Sequence, residues 1–101
     1  MFLQEILKDD DYLLLLDKYT DEYLDTIDYD NFMKIYKYLK SKRVYFVEDL
    51  ILNYLDIFTL DVKIIEEAFD ALNLQYGDDY IYTIGDNLKI LDDTIIEVLE
   101  R

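Results

Sequence analysis

Four aspartates recur in the N-terminal third of the chain at spacings of four, four and three residues: Asp17, Asp21, Asp25 and Asp28. On one continuous helix this spacing stacks the carboxylates along a single face, because residues three and four apart are neighbours on a helix surface. Each like-charged pair costs an isolated helix about 0.2–0.5 kcal/mol. A helix that served structure alone would gain nothing from that repulsion.

The sequence leaves two interpretations of this acidic row open. In the first, a negative ridge enters the phosphate-binding groove of a partner protein and displaces the counterions that phosphates would displace. In the second, the row is the solvated polar face opposite Leu16 and Tyr23, a face that any amphipathic helix has. Salt separates the two, since occupation of a basic groove should weaken steeply with ionic strength and a solvated face should be indifferent.

Tyrosine is the second residue type with binding chemistry, and the chain holds 11 of them. It is enriched in binding hot spots because it joins a rigid apolar ring to a polar tip. Four tyrosines follow the apolar periodicity and are predicted in the core: Tyr36, Tyr45, Tyr54 and Tyr76. Four others are less easily placed inside and are the candidates for partner contact: Tyr29, Tyr38, Tyr80 and Tyr82.

A basic segment, residues 34–43, holds five of the ten cations of the chain: Lys34, Lys37, Lys40, Lys42 and Arg43. Lysines interleaved with aromatic residues are typical of single-stranded nucleic-acid binding, through phosphate contacts and base stacking. A net charge of −14 opposes that interpretation, because the field of the whole chain slows the approach of a polyanion. The alternative is that these cations neutralise acids of adjacent helices.

The residue types that are missing exclude several classes of site. Without His or Cys the chain has no thiolate or imidazole zinc site, no cysteine nucleophile, no Ser-His-Asp triad and no disulfide. The acidic clusters, such as 9–11 and 92–93, lack the glycine and terminal Glu spacing of a calcium loop. We therefore expect no enzyme activity, no cofactor and no metal.

Charge and hydropathy also indicate the cellular location of the chain. The start of the sequence lacks the basic segment of a secretory signal, and its longest aliphatic run, 13–16, is far too short to span a bilayer. We expect a cytoplasmic protein, in the host cytoplasm if the source is viral, without membrane contact. Its natural counterpart is a basic surface, although acidity for solubility alone explains the net charge equally well.

Helical periodicity dominates the elements that must position these residues. Residues 12–27 have one apolar helical face, which Thr20 can interrupt. The next helix follows a cap at Asp28 or Asp30. The cations of the basic segment then fall at the C-terminal end of that helix, where the helix dipole favours them.

Two later segments allow more than one prediction. Residues 44–58 are apolar nearly all round, which predicts a central helix, with a short strand at 44–47 as the alternative. Residues 80–91 have the pattern of a hairpin around a glycine. Helical spacing instead favours a helix over about 87–100.

Asp61 is predicted as the N-cap of a helix that Gly77 ends in a left-handed conformation. Together these elements predict a mostly all-α fold, a compact bundle of four to six short helices, with a C-terminal β-hairpin at 80–91 as the open alternative. The chain has no Gly, Ser or Pro-rich linker, so we expect one acidic helical domain over residues 1–101.

These observations favour a non-enzymatic protein-interaction module. The most concrete version is a small acidic inhibitor, a nucleic-acid mimic that masks the basic surface of a nucleic-acid-binding protein or nuclease, as immunity proteins, antitoxins and phage anti-defence proteins do. Direct nucleic-acid binding is not favoured, and a homodimer is compatible with the pattern. The alternatives are a structural subunit of a larger assembly, and a winged-helix-like adaptor or nucleic-acid-binding module with 61–76 as recognition helix and 80–91 as wing.

Overall fold

The computed structural model of the chain describes residues 2–101, and the regular structure in that range is entirely helical. The α-helices are α1 (Leu3–Ile6), α2 (Asp9–Lys18), α3 (Asp21–Asp25), α4 (Tyr29–Ser41), α5 (Val47–Asn53), α6 (Val62–Tyr76), α7 (Tyr80–Asp86) and α8 (Lys89–Leu99), and 3₁₀ turns cover Leu55–Thr59 and Gly77–Asp79. The radius of gyration, 13.5 Å, is that of a compact fold of this length. The predicted all-α class is confirmed, but residues 2–101 contain eight α-helices instead of the predicted four to six, because short stretches such as 3–6 and 80–86 form helices of their own.

Caps and apolar stripes place α4 and α6 as predicted. Asp28 caps α4 by accepting a hydrogen bond from the Asn31 backbone N–H at 3.0 Å, and Asp61 caps α6 by accepting one from Lys63 at 2.9 Å. Gly77 ends α6 with a φ of 76°, which glycine adopts without strain. The fully buried side chains of the two helices are Phe32, Ile35 and Leu39 in α4 and Ile65, Ala68, Phe69 and Leu72 in α6.

Residues 12–27 form two helices rather than one. Tyr19 and Thr20 have extended backbone, with ψ of 143° and 154°, between α2 and α3. Thr20 Oγ1 accepts a hydrogen bond from the Tyr23 backbone N–H at 3.1 Å and so begins α3. The interruption predicted at Thr20 is confirmed, and the continuous helix that would align the four aspartates is wrong.

Residues 44–58 are central, as predicted, but they form neither one helix nor a strand. Tyr54, with φ of −139° and ψ of 46°, separates the short α5 from the 3₁₀ turn that follows. Because apolar side chains surround this segment, burial on every side sets its path more than helical hydrogen bonding does. Its buried residues are Val44, Phe46, Val47, Leu50, Ile51, Leu52, Leu55, Ile57 and Phe58. The strand alternative at 44–47 is wrong, because Val47 begins α5.

The β-hairpin at 80–91 is also wrong, because this stretch contains α7 and the start of α8. Helical spacing buries Ile84, Leu91 and Ile95, and that burial outweighs the β propensity of the Tyr and Ile residues here. The helix favoured over 87–100 corresponds to α8. Residues 2–101 contain no strand, so the winged-helix alternative, which needs a wing, is wrong as well.

The core ties α4 to the segment before α6. Phe32 of α4 and Phe58 of the 3₁₀ turn stack with ring centroids 4.7 Å apart. Beside them, the side-chain amide of Asn31 donates hydrogen bonds to the backbone oxygens of Phe58, at 3.0 Å, and Leu60, at 2.8 Å. These contacts fix the N-terminal half of α4. No helix within residues 2–101 has the length and apolar character needed to cross a membrane.

Candidate functional site

Five predicted partner-binding residues lie close together along the chain, and we call this set the acidic patch: Asp17, Asp21, Asp25, Asp28 and Tyr29. All five are exposed. They belong to three elements, because the patch includes the last turn of α2, both ends of α3 and the start of α4. The carboxylates therefore spread over a surface made by several elements instead of following one straight helical row.

Asp25 and Tyr29 meet in a cleft of about 280 Å³, whose other walls are Phe2, Leu24 and Ile27. The ring of Tyr29 is 53% exposed and contacts the ring of Phe2 edge-on, with centroids 5.1 Å apart. That contact holds the Tyr29 ring in place while leaving half of its surface open. A carboxylate and an aromatic ring are thus presented side by side.

No cation among residues 2–101 forms an ion pair with the carboxylates of the acidic patch. Within residues 2–101 a single ion pair occurs, 2.9 Å between Lys89 Nζ and Asp93 Oδ2 on α8. Asp28 uses its carboxylate to cap α4, where the positive end of the helix dipole compensates its charge. The other three carboxylates of the patch are exposed charges without a counter-ion in the described part of the chain, and they are available to an external cation.

An exposed leucine lies beside the acidic patch, and the sequence analysis did not identify it. Leu13 is 60% exposed and stands one helical turn before Asp17 on α2. Residues 13–16 are four consecutive leucines, so a count of apolar residues does not show which of them is exposed. Helical spacing is the signal that could have identified it. Leu15, four residues before Tyr19, lies on the same helical face as Tyr19 and is buried, whereas Leu13 and Leu14 lie off that face and are exposed.

A second cleft, of about 330 Å³, lies between the chain that follows α4 and the chain around the start of α7. We call it the tyrosine–cation cleft, and its lining residues are Lys42, Arg43, Tyr45, Asp78, Tyr80, Ile81 and Tyr82. It combines Tyr80 and Tyr82, two of the predicted partner-binding tyrosines, with two cations of the basic segment. The fold therefore joins two sequence features that lie far apart along the chain.

Tyr38, the remaining predicted anchor, adjoins this cleft and is half-buried. Its ring contacts Phe69 edge-on with centroids 5.6 Å apart, and the ring of Tyr80 does the same at 6.1 Å. Burial, followed by the negative charge of Asp70, raises the pKa of Tyr38 to about 12 and also raises the pKa of Tyr80. Both hydroxyls stay protonated at neutral pH, and Tyr38 supports the cleft wall more than it offers a free ring.

Tyr45 is a cleft residue that periodicity assigned wrongly to the core. It is 57% exposed, and its hydroxyl packs so closely on Gly85 that a Cβ at that position would overlap it. Its ring lies 6.0 Å from that of Tyr82 and edge-on to Phe46 at 5.0 Å. The available signal was the glycine in α7, because a glycine within a helix marks a close approach. Of the other tyrosines predicted in the core, one is exposed and two are half-buried: Tyr76, Tyr36 and Tyr54, respectively.

The cations of the basic segment, 34–43, likewise form no ion pair with any residue that the structure describes. Within residues 2–101 none of them lies within 4.0 Å of a carboxylate. Lys40 Nζ and Lys42 Nζ instead lie 5.5 Å and 5.6 Å from the ring centroids of Tyr36 and Tyr38. The predicted neutralisation of acids on adjacent helices does not occur through ion pairs, and all five cations are exposed.

The acids that the structure describes show no arrangement of metal ligands. Across residues 2–101 no three acidic side chains are grouped so that they could hold a metal ion. Burial, and then the charges of Asp56 and Asp93, raise the pKa of Asp92, while Lys89 lowers it. Asp92 lines neither the cleft at Tyr29 nor the tyrosine–cation cleft.

Comparison of the chain with models of protein families, with curated proteins and with solved structures gave no match. Function is therefore inferred from the residues themselves.

Proposed function

We propose that this chain is a non-enzymatic interaction protein that uses the acidic patch to mask a basic, nucleic-acid-binding surface of a partner protein. One observation carries the proposal: the patch holds three exposed carboxylates without an internal counter-ion in residues 2–101, in a molecule of net charge −14. A basic partner would supply the missing counter-ions. The proposed role is that of an inhibitor in the cytoplasm.

Electrostatics and anchoring have separate tasks in this proposal. The negative field of the chain steers a basic partner toward it and sets the rate of association. Affinity comes mainly from a few well-packed anchors, for which aromatic side chains are favoured. Tyr29, held edge-on by Phe2, and the exposed Leu13 flank the carboxylates and are the anchors that we assign to the patch.

A structural subunit of a larger assembly is the second candidate function, because several large apolar side chains are exposed: Leu13, Leu14, Leu74, Ile96 and Leu99. The two candidates respond differently to salt. A contact based on apolar surface survives high ionic strength, whereas masking of a basic groove does not. The segment 44–58 no longer favours assembly, because its apolar side chains are used in the core.

The test is affinity capture of a partner from the source cell or its host, with elution by a salt gradient from about 50 to about 500 mM. The probe variant is the triple Asp17→Asn, Asp21→Asn and Asp25→Asn. The matched control is the triple Glu67→Gln, Asp86→Asn and Glu97→Gln, which removes three exposed charges from other helices. We expect the probe variant to lose the partner, the control to keep it, and both to keep the circular dichroism of the parent.

Two results would contradict the masking proposal. The first is capture that is the same for the probe variant and the parent, which would remove the acidic patch from the interaction. The second is binding of a fluorescent oligonucleotide to the isolated protein at physiological salt with micromolar affinity or better. That result would make the chain itself a nucleic-acid-binding protein.

A further inference from the structure

We infer that the tyrosine–cation cleft is a binding site for a single nucleotide, a nucleoside monophosphate that is either free or at the end of a single strand. The inference does not depend on the masking proposal, because the cleft shares no residue with the acidic patch. It is based on the cations of the basic segment, which the proposed function does not use. It is also based on the meeting of residues 42–45 with residues 78–82 at this cleft.

The cations at one side of the cleft suit a phosphate group. Lys42 and Arg43 are exposed and line the cleft, and within residues 2–101 neither has a carboxylate within 4.0 Å. Arginine offers a planar fork of donors that matches phosphate oxygens, and lysine adds a point charge. A phosphate would therefore not have to compete with an internal ion pair for these two side chains.

The rings of the cleft suit a base. Tyr45 and Tyr82 are 57% and 65% exposed, and their ring centroids are 6.0 Å apart with an angle of 35° between the planes. That separation is too short for a base to enter between them, so the pair offers an extended aromatic surface on which one base stacks. Stacking on tyrosine accepts every base, because each has a π face.

The acid of the cleft distinguishes a nucleotide from an acidic peptide. Asp78 lines the same cleft as the two cations but forms no ion pair with them. A nucleotide has an anionic end and a neutral end with amino and hydroxyl donors, which a carboxylate accepts. An acidic peptide brings further carboxylates, which Asp78 would repel. The charge pattern of the cleft therefore favours the nucleotide.

Size and charge limit the ligand to one nucleotide. The volume of about 330 Å³ is at the lower end of the range for small-molecule sites, which is about 300–1,000 Å³. Outside the basic segment the surface is strongly negative, so additional phosphates of a long strand would meet repulsion. We expect little gain in affinity once the strand exceeds a few nucleotides.

The experiment is a titration of the ¹⁵N-labelled full chain, followed by NMR chemical shifts, with each common nucleoside monophosphate up to about 10 mM, a weak-binding range. Inorganic phosphate and an unphosphorylated nucleoside test the two ends of the ligand, and a 5′-phosphorylated trinucleotide tests the strand end. We expect saturable shifts confined to residues 42–45 and 78–82. Phosphate alone and nucleoside alone should each bind at least about tenfold more weakly, because each lacks one set of contacts.

Two variants and two matched controls complete the test. Arg43→Gln removes a charge-assisted contact and should weaken nucleotide binding about tenfold or more, and Tyr82→Ala should do the same through lost stacking. Lys34→Gln and Tyr76→Ala remove an exposed cation of α4 and an exposed ring of α6 outside the cleft and should leave nucleotide binding unchanged. The same spectra report whether each variant is folded.

Binding of the free nucleotide, or of the strand end alone, through these residues supports the inference and identifies the source of the ligand. Four results overturn it. In the first, the nucleotide causes no saturable shifts, and in the second, the shifts persist in both cleft variants. In the third, phosphate binds as tightly as the nucleotide, and in the fourth, a glutamate-rich peptide displaces the nucleotide at equal concentration. An affinity that rises steeply with strand length would contradict the limit to one nucleotide.

Discussion

The two ends of α4 carry opposite charge. At the N-terminal end stand Asp28, Tyr29 and the rest of the acidic patch, and at the C-terminal end stand Lys42, Arg43 and the tyrosine–cation cleft. The helix dipole favours acids at the first end and cations at the second. It explains the signs of the charges, but not why each end also has an exposed tyrosine beside a cleft. In our two proposals each end binds another molecule, and the two ends differ in the charge that they accept.

The two ends are also held in place by different kinds of contact. The acidic end is fixed by hydrogen bonds, from the side chain of Asn31 to the backbone oxygens of Phe58 and Leu60. The cation end is fixed by close packing, the hydroxyl of Tyr45 against Gly85. Substitutions that break one contact should disturb one surface and leave the other intact, which makes the comparison testable.

The largest effect is expected at the acidic end, from Asn31→Asp. This change keeps the shape of the side chain, removes the amide donor and sets a carboxylate against the carbonyl oxygens of Phe58 and Leu60. We expect a loss of about 2–3 kcal/mol in the free energy of unfolding, measured by urea denaturation. Asn73→Asp, the same change at an exposed position in the last turn of α6, is the control and should cost less than about 1 kcal/mol, because only the helix dipole opposes the new charge. Equal effects at both positions would contradict a specific tether at Asn31.

The next effect is expected at the cation end, from Gly85→Ala. Overpacking against Tyr45 should destabilise the protein by about 1–3 kcal/mol, partly offset by the better helix propensity of alanine, about 1 kcal/mol. Partner capture by the acidic patch should be unchanged. In a Tyr45→Ala background the same substitution should destabilise less, because the Tyr45 ring is gone and only Phe46 Cδ1, 3.1 Å from the new methyl group, remains close. Additive effects of the two substitutions would show that this contact is not close.

The third effect separates charge from capping at Asp28. Asp28→Ala removes the acceptor for the Asn31 N–H and should cost about 1 kcal/mol, whereas Asp28→Asn keeps an acceptor and should cost only a few tenths. Both variants remove the same charge from the acidic patch. If they reduce partner capture equally while differing in stability, the charge of Asp28 contributes to binding. Capture that follows stability would instead assign Asp28 to the fold alone.

The elements best predicted from the sequence are those where independent local signals coincide. For α6, the cap Asp61, a buried stripe and the stop at Gly77 agree on both ends of the helix. At Thr20 two local signals conflict, since the spacing of the aspartates continues a helix and the threonine starts a new one. The capping hydrogen bond prevailed, because it satisfies a backbone N–H group at the start of α3. The spacing of the aspartates satisfies no backbone group.

The parts that could not be predicted depend on distant contacts. Residues 80–91 have β propensity, and only packing of Ile84 and Leu91 on the core makes them helical. The tyrosine–cation cleft needs 42–45 and 78–82 to meet, and periodicity within either segment does not reveal that meeting. Tyr45 illustrates the limit, because it fits an apolar repeat yet lies at the surface on a glycine from another helix.

The smallest effect is the alkaline sensitivity that Tyr38 adds at the cation end. The pKa of Tyr38 is about 12 in the folded chain, against an ordinary value of 10.0 for the unfolded one. The folded state thus holds this proton more tightly, so the stability from Tyr38 is complete below the ordinary value and is lost as pH rises from there toward about 12. Thermal unfolding across this range should show a smaller alkaline loss in Tyr38→Phe than in the parent. Tyr80→Phe, which removes a hydroxyl whose pKa burial and Asp70 also raise, should change the alkaline loss in the same direction, and an alkaline loss in Tyr38→Phe equal to that of the parent would contradict this assignment.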